Sequence, residues 1–341
     1  MEGYSVAILG ATGMVGQEML RTLIERKFPV RTLKLLASER TAGTTITFNG
    51  QAYPVEKAEP EAFEGIDLVL ASAGGAVSRV LAPEAVKRRA VVVDNTSEFR
   101  MNPDVPLVIP EINAEALKEH RGIIANPNCS TAILLMALAP LRHLGKIERV
   151  IVTTFQSVSG AGKEAVDELR EQTKAQLDGH EYPPQALSKP IAFNLIPQID
   201  SFLPNGYTKE EMKFTNETRK ILGDPDFRIS GTCVRVPVMV SHSESVNVEF
   251  DRPVEISAFR EVLAQAPGVR LVDNPAAMSF PQPTDAAGLD EVLVGRIRGD
   301  VSHPHGINFW VAGDNLRRGA ALNAVLIAER LAELGLMKAR G

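Results

Sequence analysis

The sequence predicts an α/β protein of two domains, the first built on a doubly wound parallel sheet. Three observations carry that expectation. Short, continuously apolar runs alternate with helical patterns up to about residue 130, which suits strands buried on both faces. The first of these runs opens into a turn with glycines at three-residue intervals. After residue 130 the strands alternate apolar and polar residues, as in a sheet covered on one side only. A length of 341 residues also suggests two domains rather than one.

Residues 5–9 form the first buried strand. Gly10-Ala-Thr-Gly-Met-Val-Gly16 follows at once, then a helical pattern over 17–24. Strand, glycine turn and helix is the context a dinucleotide fingerprint requires. The glycines fall as G-x-x-G-x-x-G rather than G-x-G-x-x-G. They serve the same ends: a tight turn, close backbone approach to a pyrophosphate, and close helix packing. Gly10, Thr12, Gly13, Met14, Val15 and Gly16 are therefore candidate cofactor-binding residues of a Rossmann-type domain. The second strand, 33–37, ends at Ser38-Glu39-Arg40-Thr41, where such a domain selects its cofactor. An acidic residue on the ribose hydroxyl favours NAD, and an arginine accommodates the extra phosphate of NADP. Arg40 between Ser38 and Thr41 makes a phosphate cradle and favours NADP; Glu39 turned inward would favour NAD. A strand over 67–72 ends in Ser72, Ala73 and Gly74, which should border the same crevice. A strand over 90–94 leads to Arg100, placed to hold a phosphate or carboxylate by a bidentate contact.

The chain is organised around Ile123-Ile-Ala-Asn-Pro-Asn-Cys-Ser-Thr131. A short buried strand is cut by Pro127, which disfavours helix at the residue before it. Asn128, Ser130 and Thr131 then offer capping chemistry for the apolar helix that follows. Cys129 is thereby placed at a helix N-terminus, where unpaired N–H groups and the helix dipole favour a thiolate. The plainer reading is a small buried cysteine.

The Cys129 helix is expected to end near Gly145. A one-sided strand over 149–155 leads to Gln156-Ser-Val-Ser-Gly-Ala-Gly-Lys163 and a helix over 164–177. This glycine run is no P-loop, because Ser157 stands at the earlier glycine position and no Ser or Thr follows the lysine. Residues 178–206 carry much proline and polar character and should form an exposed excursion, a candidate interface loop. Thr208-x-x-Glu211 is a capping box opening a helix to about 222, on which Glu210 and Lys213 share a face. A strand over 231–240 contains Pro237, which implies an edge or a bulge. Arg235 lies within that apolar run, where burial is costly unless an anion pairs with it; His242 follows. Strands over 292–298 and 307–312 precede Gly313-Asp-Asn315, which caps a last helix from 316 to about 334. The first domain is expected over 1–130, completed by 314–341, and the second over 131–313.

Composition narrows the function classes. Apolar content of 44% and charged content of 23% are ordinary for a soluble globular chain. A net charge of -5, with no long Lys/Arg run, argues against nucleic acid as the main partner. No apolar run is long enough to span a bilayer, and the first residues lack a basic, cleavable leader. Cys129 and Cys233 lie far apart, with no metal-like spacing and no disulfide framework. The expectation is a cytoplasmic protein without a metal, a nucleic-acid partner or a membrane anchor.

What remains is a thiol, a histidine, a glutamine, several arginines and a dinucleotide turn. A thiolate with a nicotinamide cofactor suggests covalent carbonyl chemistry, in which sulfur forms a thioester or hemithioacetal and hydride moves to or from that carbon. A histidine can move the proton near neutral pH, and arginines suit a substrate carrying carboxylate and phosphate.

The glycine turn and Asn126-Pro-Asn-Cys-Ser-Thr131 are joined in order by Gln156-x-x-Ser-Gly-Ala-Gly162, Glu210-Glu-Met-Lys213, Arg235-Val-Pro-Val238, His242-Ser-Glu244 and Gly313-Asp-Asn315. With these motifs the sequence resembles the aspartate-semialdehyde dehydrogenases over nearly its whole length. The resemblance implies that Cys129 attacks β-aspartyl phosphate, expels phosphate and becomes an acyl thioester. NADPH would then reduce it to L-aspartate 4-semialdehyde, for biosynthesis of lysine through diaminopimelate, and of threonine, methionine and isoleucine. It implies His242 as acid/base, Gln156 orienting the acyl group, Arg235 on the substrate α-carboxylate and Glu210 near its amino group. Arg100 and Lys213 would bind phosphate, Asn128 would join the substrate contacts, and Ser159, Gly160 and Asn315 would meet the cofactor. The family pairs a dinucleotide domain with an α/β catalytic and dimerisation domain, returns its last helix to the first, and forms a homodimer. The nearest rival, N-acetyl-γ-glutamyl-phosphate reductase, usually has its nucleophile in a Pro-Gly-Cys context. A noncatalytic dinucleotide-binding sensor should lack Cys129 or His242.

Overall fold

A computed structural model describes residues 3–339. The chain divides into two compact units, Met1–Asn128 with Ala320–Gly341, and Cys129–Gly319. Positions 1, 2, 340 and 341 of the expected first domain lie outside the described residues.

The first unit holds a seven-stranded sheet in the order β3-β4-β2-β1-β5-β6-β7. Its strands are β1 (Tyr4–Leu9), β2 (Val30–Ala37), β3 (Thr45–Phe48), β4 (Gln51–Lys57), β5 (Leu68–Ala71), β6 (Val91–Asp94) and β7 (Ile123–Ala125). All neighbours are parallel except β3 and β4. In β5 and β6 every residue is buried, as uninterrupted apolar runs require of strands covered on both faces. Helices α1 (Met14–Glu25), α2 (Gly75–Lys87) and the single turn α3 (Pro110–Asn113) belong to this unit, with the last helix of the chain, α9 (Leu322–Glu333). One sheet face packs Val6, Ile8 and Leu35 against Met19 and Leu23 of α1 and Val325, Ala328 and Leu331 of α9. The other packs Ala7, Leu9 and Val69 against Leu81 and Ala85 of α2.

The β3–β4 hairpin lies outside the elements that the sequence pattern predicts. Its turn, Asn49-Gly50, has both residues at positive φ (48° and 79°), which is the hairpin signature of that dipeptide. The last helix is also shorter than expected: a π-helical turn, Arg317–Ala321, comes first, and α9 begins only at Leu322.

The second unit holds a six-stranded sheet in the order β11-β12-β13-β10-β8-β9. Its elements are α4 (Cys129–Leu141), β8 (Ile147–Gln156), α5 (Lys163–Leu177), α6 (Lys209–Leu222), β9 (Ile229–Arg235), β10 (His242–Phe250), α7 (Ile256–Gln265), β11 (Val269–Leu271), α8 (Pro283–Ala286), β12 (Val292–Gly299) and β13 (Gly306–Gly313). Even-numbered residues of β8 and β10 are buried and odd-numbered ones are more exposed along most of each strand, the period-two pattern of a half-covered sheet. Helix α4 is apolar all round and buried from Ser130 to Leu138, so it is an inner element. It stops at Leu141, after Pro140, short of the expected Gly145. Strand β9 lies at the sheet edge and ends at Arg235, before Pro237.

Helix α6 opens with the expected capping box: Glu211 N–H donates to Thr208 Oγ1 and Thr208 N–H to Glu211 Oε2. Residues 178–206 form no long element. Helix α5 anchors them through Glu168, which accepts from Gln185 N–H, and Gln172, which accepts from Ile191 N–H, both at 2.7 Å.

Candidate active site

In the first unit, β1 ends where the chain must turn sharply into α1. Gly10 adopts φ +92°, and a Cβ there would lie 2.7 Å from the Ser72 carbonyl oxygen. A Cβ on Gly16 would lie 2.2 Å from the Gly10 carbonyl oxygen, so α1 can pack on the turn only through glycine. Gly13 precedes the helix without a side-chain cap, and Met14 and Val15 open it. The N–H groups of this first turn are left for a ligand, and the helix dipole favours an anion there. A cleft of about 560 Å³ lies on the turn, lined by Gly10, Thr12, Gly13, Ser38, Ser72 and Ala73 with apolar Ala58, Val77 and Val80. Gly74, at φ +90°, caps α2 beside it. Thr41 Oγ1 stands 3.5 Å from Thr12 Oγ1. Arg40 is exposed, and Glu39, 83% exposed, faces Lys57 Nζ at 3.5 Å. Missing side chains and free N–H groups fit a dinucleotide pyrophosphate.

Arg100 is buried in this unit. Its Nε donates to the Asn126 carbonyl oxygen at 2.8 Å and its Nη2 to the Asn95 carbonyl oxygen at 3.0 Å. Asn126 is tied to the end of the chain, donating to Ala320 O and accepting from Asn323 Nδ2. Asn128, next but one, is also buried.

In the second unit, strand register gathers the chemistry at one end of the sheet. Gln156, last in β8, lies opposite Arg235, last in β9. His242, first in β10, lies opposite Gly313 at the end of β13. Cys129 begins α4, and its Sγ is 3.3 Å from His242 Nε2. Ser157 N–H donates to His242 Nδ1 at 3.0 Å, which makes Nδ1 the acceptor. The neutral ring then carries its proton on Nε2, facing the sulfur. Burial, then Arg235, lower the His242 pKa to about 3, so the ring stays neutral at ordinary pH.

Arg235 is itself buried, and burial lowers its pKa against the pull of Glu210. Among the described residues its one acceptor is the Ser157 carbonyl oxygen, 2.7 Å from Nη1. A buried guanidinium with donors to spare is an anion site. Gln156 accepts from Thr154 Oγ1 and donates to Glu210 Oε1, while Glu210 Oε2 accepts from Lys213 Nζ at 2.6 Å. Gly160 lies against the group: a Cβ there would be 3.0 Å from Arg235 Nη1 and 3.3 Å from His242 Nε2. Asn315 Oδ1 accepts from Ser157 Oγ, Ser159 Oγ and Ser241 N–H. It thereby braces Ser241, held at φ +77° just before His242. Such a backbone costs about 1–3 kcal/mol and persists only where its surroundings impose it.

One step further along the same sheet face, Glu244 lies opposite Thr154, and Cys233 opposite Thr154 from the other side. Glu244 is fully buried, and among the described residues neither carboxyl oxygen has a hydrogen-bond partner. Burial pushes its pKa well above the carboxylate range, so it is held as the neutral acid. Burial, and after it Glu210, push the Cys233 thiol far up, leaving it inert.

The chain matches two family models, described as "Semialdehyde dehydrogenase, NAD binding domain" over residues 5–120 and "Semialdehyde dehydrogenase, dimerisation domain" over 138–318. It is 52% identical to the aspartate-semialdehyde dehydrogenase of Bacillus subtilis, across 98% of this chain and 99% of that protein. The chain belongs to the aspartate-semialdehyde dehydrogenase family. Among solved structures, aspartate semialdehyde dehydrogenase II of Vibrio cholerae, complexed with ASA, superposes with a TM-score of 0.95 at 50% identity, covering 98% of this chain and 99% of that one. The Candida albicans aspartate semialdehyde dehydrogenase with NADP gives 0.74 at 26% identity, covering 97% and 98%. The family's two-domain α/β fold and nicotinamide-dinucleotide-binding domain are thereby those of this chain.

The second unit brings together six residues expected from the sequence, Cys129, Gln156, Glu210, Lys213, Arg235 and His242. Ser159, Gly160 and Asn315 border them. Gly10, Thr12, Gly13, Ser38, Ser72 and Ala73 line the cleft of the first unit, while Arg40 stays outside its lining. Ser157, Thr154 and Ser241, which hold His242 and Gln156 in place, carry no sequence signal as site residues. Their contacts depend on strand register, which no local motif announces.

Proposed function

We propose that the chain reduces L-4-aspartyl phosphate to L-aspartate 4-semialdehyde with NADPH, through a thioester on Cys129. The observation that carries this reading is the Cys129 sulfur at a helix N-terminus, 3.3 Å from a neutral imidazole whose N–H faces it. That pairing stabilises a thiolate. The sulfur attacks the acyl carbon, the bond to phosphate oxygen breaks, and its electron pair leaves with phosphate. When bound, the reduced nicotinamide supplies the hydride that the thioester carbon accepts. His242 Nε2–H is the donor for the oxyanion that forms, and for the sulfur as it departs.

Arg235, with donors to spare, holds the substrate α-carboxylate. Glu210 holds the amino group, its charge shared with Lys213. Gln156, fixed between Thr154 and Glu210, orients the acyl group. We assign phosphate binding to Arg100 and Lys213, and a substrate contact to Asn128. Cofactor contacts are assigned to Gly10, Thr12, Gly13, Met14, Val15, Gly16, Ser38, Arg40, Thr41, Ser72, Ala73 and Gly74 in the first unit, and separately to Ser159, Gly160 and Asn315 in the second. The pairing of Glu39 with Lys57 supports NADP over NAD, because it leaves Arg40 for the extra phosphate. The dimerisation-domain match supports a homodimer, and we propose residues 178–206 as part of its contact. A reducing, cytoplasmic setting suits a thiol that must stay free.

The test is phosphate-dependent reduction of NADP, and separately of NAD, with L-aspartate 4-semialdehyde. Turnover with preference for NADP is expected. Cys129→Ser should abolish turnover while cofactor binding persists. Near-normal turnover in that variant would remove the thioester mechanism, and a folded enzyme inactive on this aldehyde would favour the glutamyl-phosphate rival.

A further inference from the structure

Cys129 has a second close neighbour besides His242. Gly319 lies in the π-helical turn Arg317–Ala321, far from Cys129 in sequence. A Cβ on Gly319 would stand 2.7 Å from Cys129 Cβ, 3.0 Å from its Cα and 3.2 Å from its carbonyl oxygen. Real Cβ atoms do not approach each other that closely, so one partner would have to move.

Neither partner is free to move. Helix α4 is buried from Ser130 to Leu138, and a close-packed helix cannot recede. The turn is braced by Asp314, whose Oδ1 accepts from Leu316 N–H at 2.8 Å and Arg317 N–H at 3.0 Å. The Asp314 carbonyl oxygen accepts from Gly319 N–H at 3.0 Å. Arg317 is in turn clamped to Asp290 at 2.6 Å. Single π-helical turns recur at functional sites, where they shift the helix face by one residue. Here the turn presents bare backbone to the nucleophile.

We infer that Gly319 is a positioning residue for Cys129, its missing side chain letting the sulfur sit against the imidazole of His242. This rests on Cys129 as the nucleophile. Any side chain at 319 pushes the sulfur off that line, and misplacement by about 1 Å costs roughly 10²-fold in rate.

The test is Gly319→Ala in the full-length protein, read three ways. The expected kcat is lower by roughly 10²-fold, with KM for the semialdehyde little changed. Alkylation of Cys129 by iodoacetamide should need higher pH than in the wild type, because the displaced thiol loses its imidazole partner. The buried Cys233 does not compete, and Cys129→Ser supplies the blank. The third readout is thermal stability in a double-mutant cycle with Cys129→Gly. Removing the Cys129 side chain should relieve most of the stability that Gly319→Ala costs. Wild-type kcat with an unchanged alkylation profile would overturn the inference. So would an equal loss of stability in both backgrounds, including failure of both to fold. Turnover surviving in Cys129→Ser instead points to an error in the nucleophile, which separates the two readings.

Discussion

The dinucleotide cleft of the first unit and the thiol site of the second are built in opposite ways. The cleft is made of missing side chains: Gly10, Gly13 and Gly16 clear space, and the opening N–H groups of α1 are left to meet a phosphate. The thiol site is made of side chains in contact: Cys129 on His242, His242 on Ser157, Gln156 on Glu210, Glu210 on Lys213. The first kind of site needs only the right turn between one strand and one helix. The second needs several strands in register and a buried charge balance. It is therefore the more exposed to pH and to distant substitutions.

That contrast can be broken by experiment. The largest effect is expected at Gly16. Gly16→Ala sets a methyl group against the Gly10 carbonyl, and the strain of an overpacked turn, about 1–3 kcal/mol, should weaken NADP binding by roughly 10–10²-fold. Cys129 should alkylate at the wild-type rate in this variant. Loss of thiol reactivity as well would mean the two sites do not fail independently. Arg40→Ala comes next. It should weaken NADP binding by about tenfold, the loss of one charge-assisted contact at an exposed position, and leave NAD binding unchanged. Equal losses for both cofactors, measured by fluorescence titration, would place Arg40 on a group they share.

The smallest effect concerns Glu244. Its folded-state pKa is raised by burial, so on raising the pH the unfolded chain releases this proton first. Glu244 thus contributes most below the ordinary carboxylate range, and its contribution is lost progressively as pH climbs from there. Glu244→Gln is neutral at every pH. Its thermal midpoint should gain on the wild type as pH increases, with turnover little altered. A gap that stays flat across pH 5–8 would show that Glu244 is not carried as the neutral acid.

The same contrast sets how much was legible in the sequence. The glycine turn is a local motif, so its residues could be read directly. Cys129 was readable because Pro127 cuts a strand and a helix follows. The Thr208–Glu211 capping box was equally local. Arg235 stood out as a charge inside an apolar run. By contrast, the pairing of Ser157 N–H with His242 Nδ1 follows from the register of β8 against β10, and no spacing encodes that. Gly319 looked like an ordinary helical residue, because a π-helical turn leaves no mark in hydrophobic period. The Asn49-Gly50 hairpin did carry its signal, which the alternation of longer runs obscured.

The return of α9 to the first sheet has a consequence for synthesis. Val325, Ala328 and Leu331 complete a core whose other walls are made near the start of the chain. On a ribosome adding about 5–20 residues per second, the residues in between take on the order of 10–40 s to appear. Until then the residues that pack on α9 lack that cover, whereas the second unit is made of one contiguous stretch, Cys129–Gly319. The core of the first unit is thus the last part of the molecule that synthesis can complete.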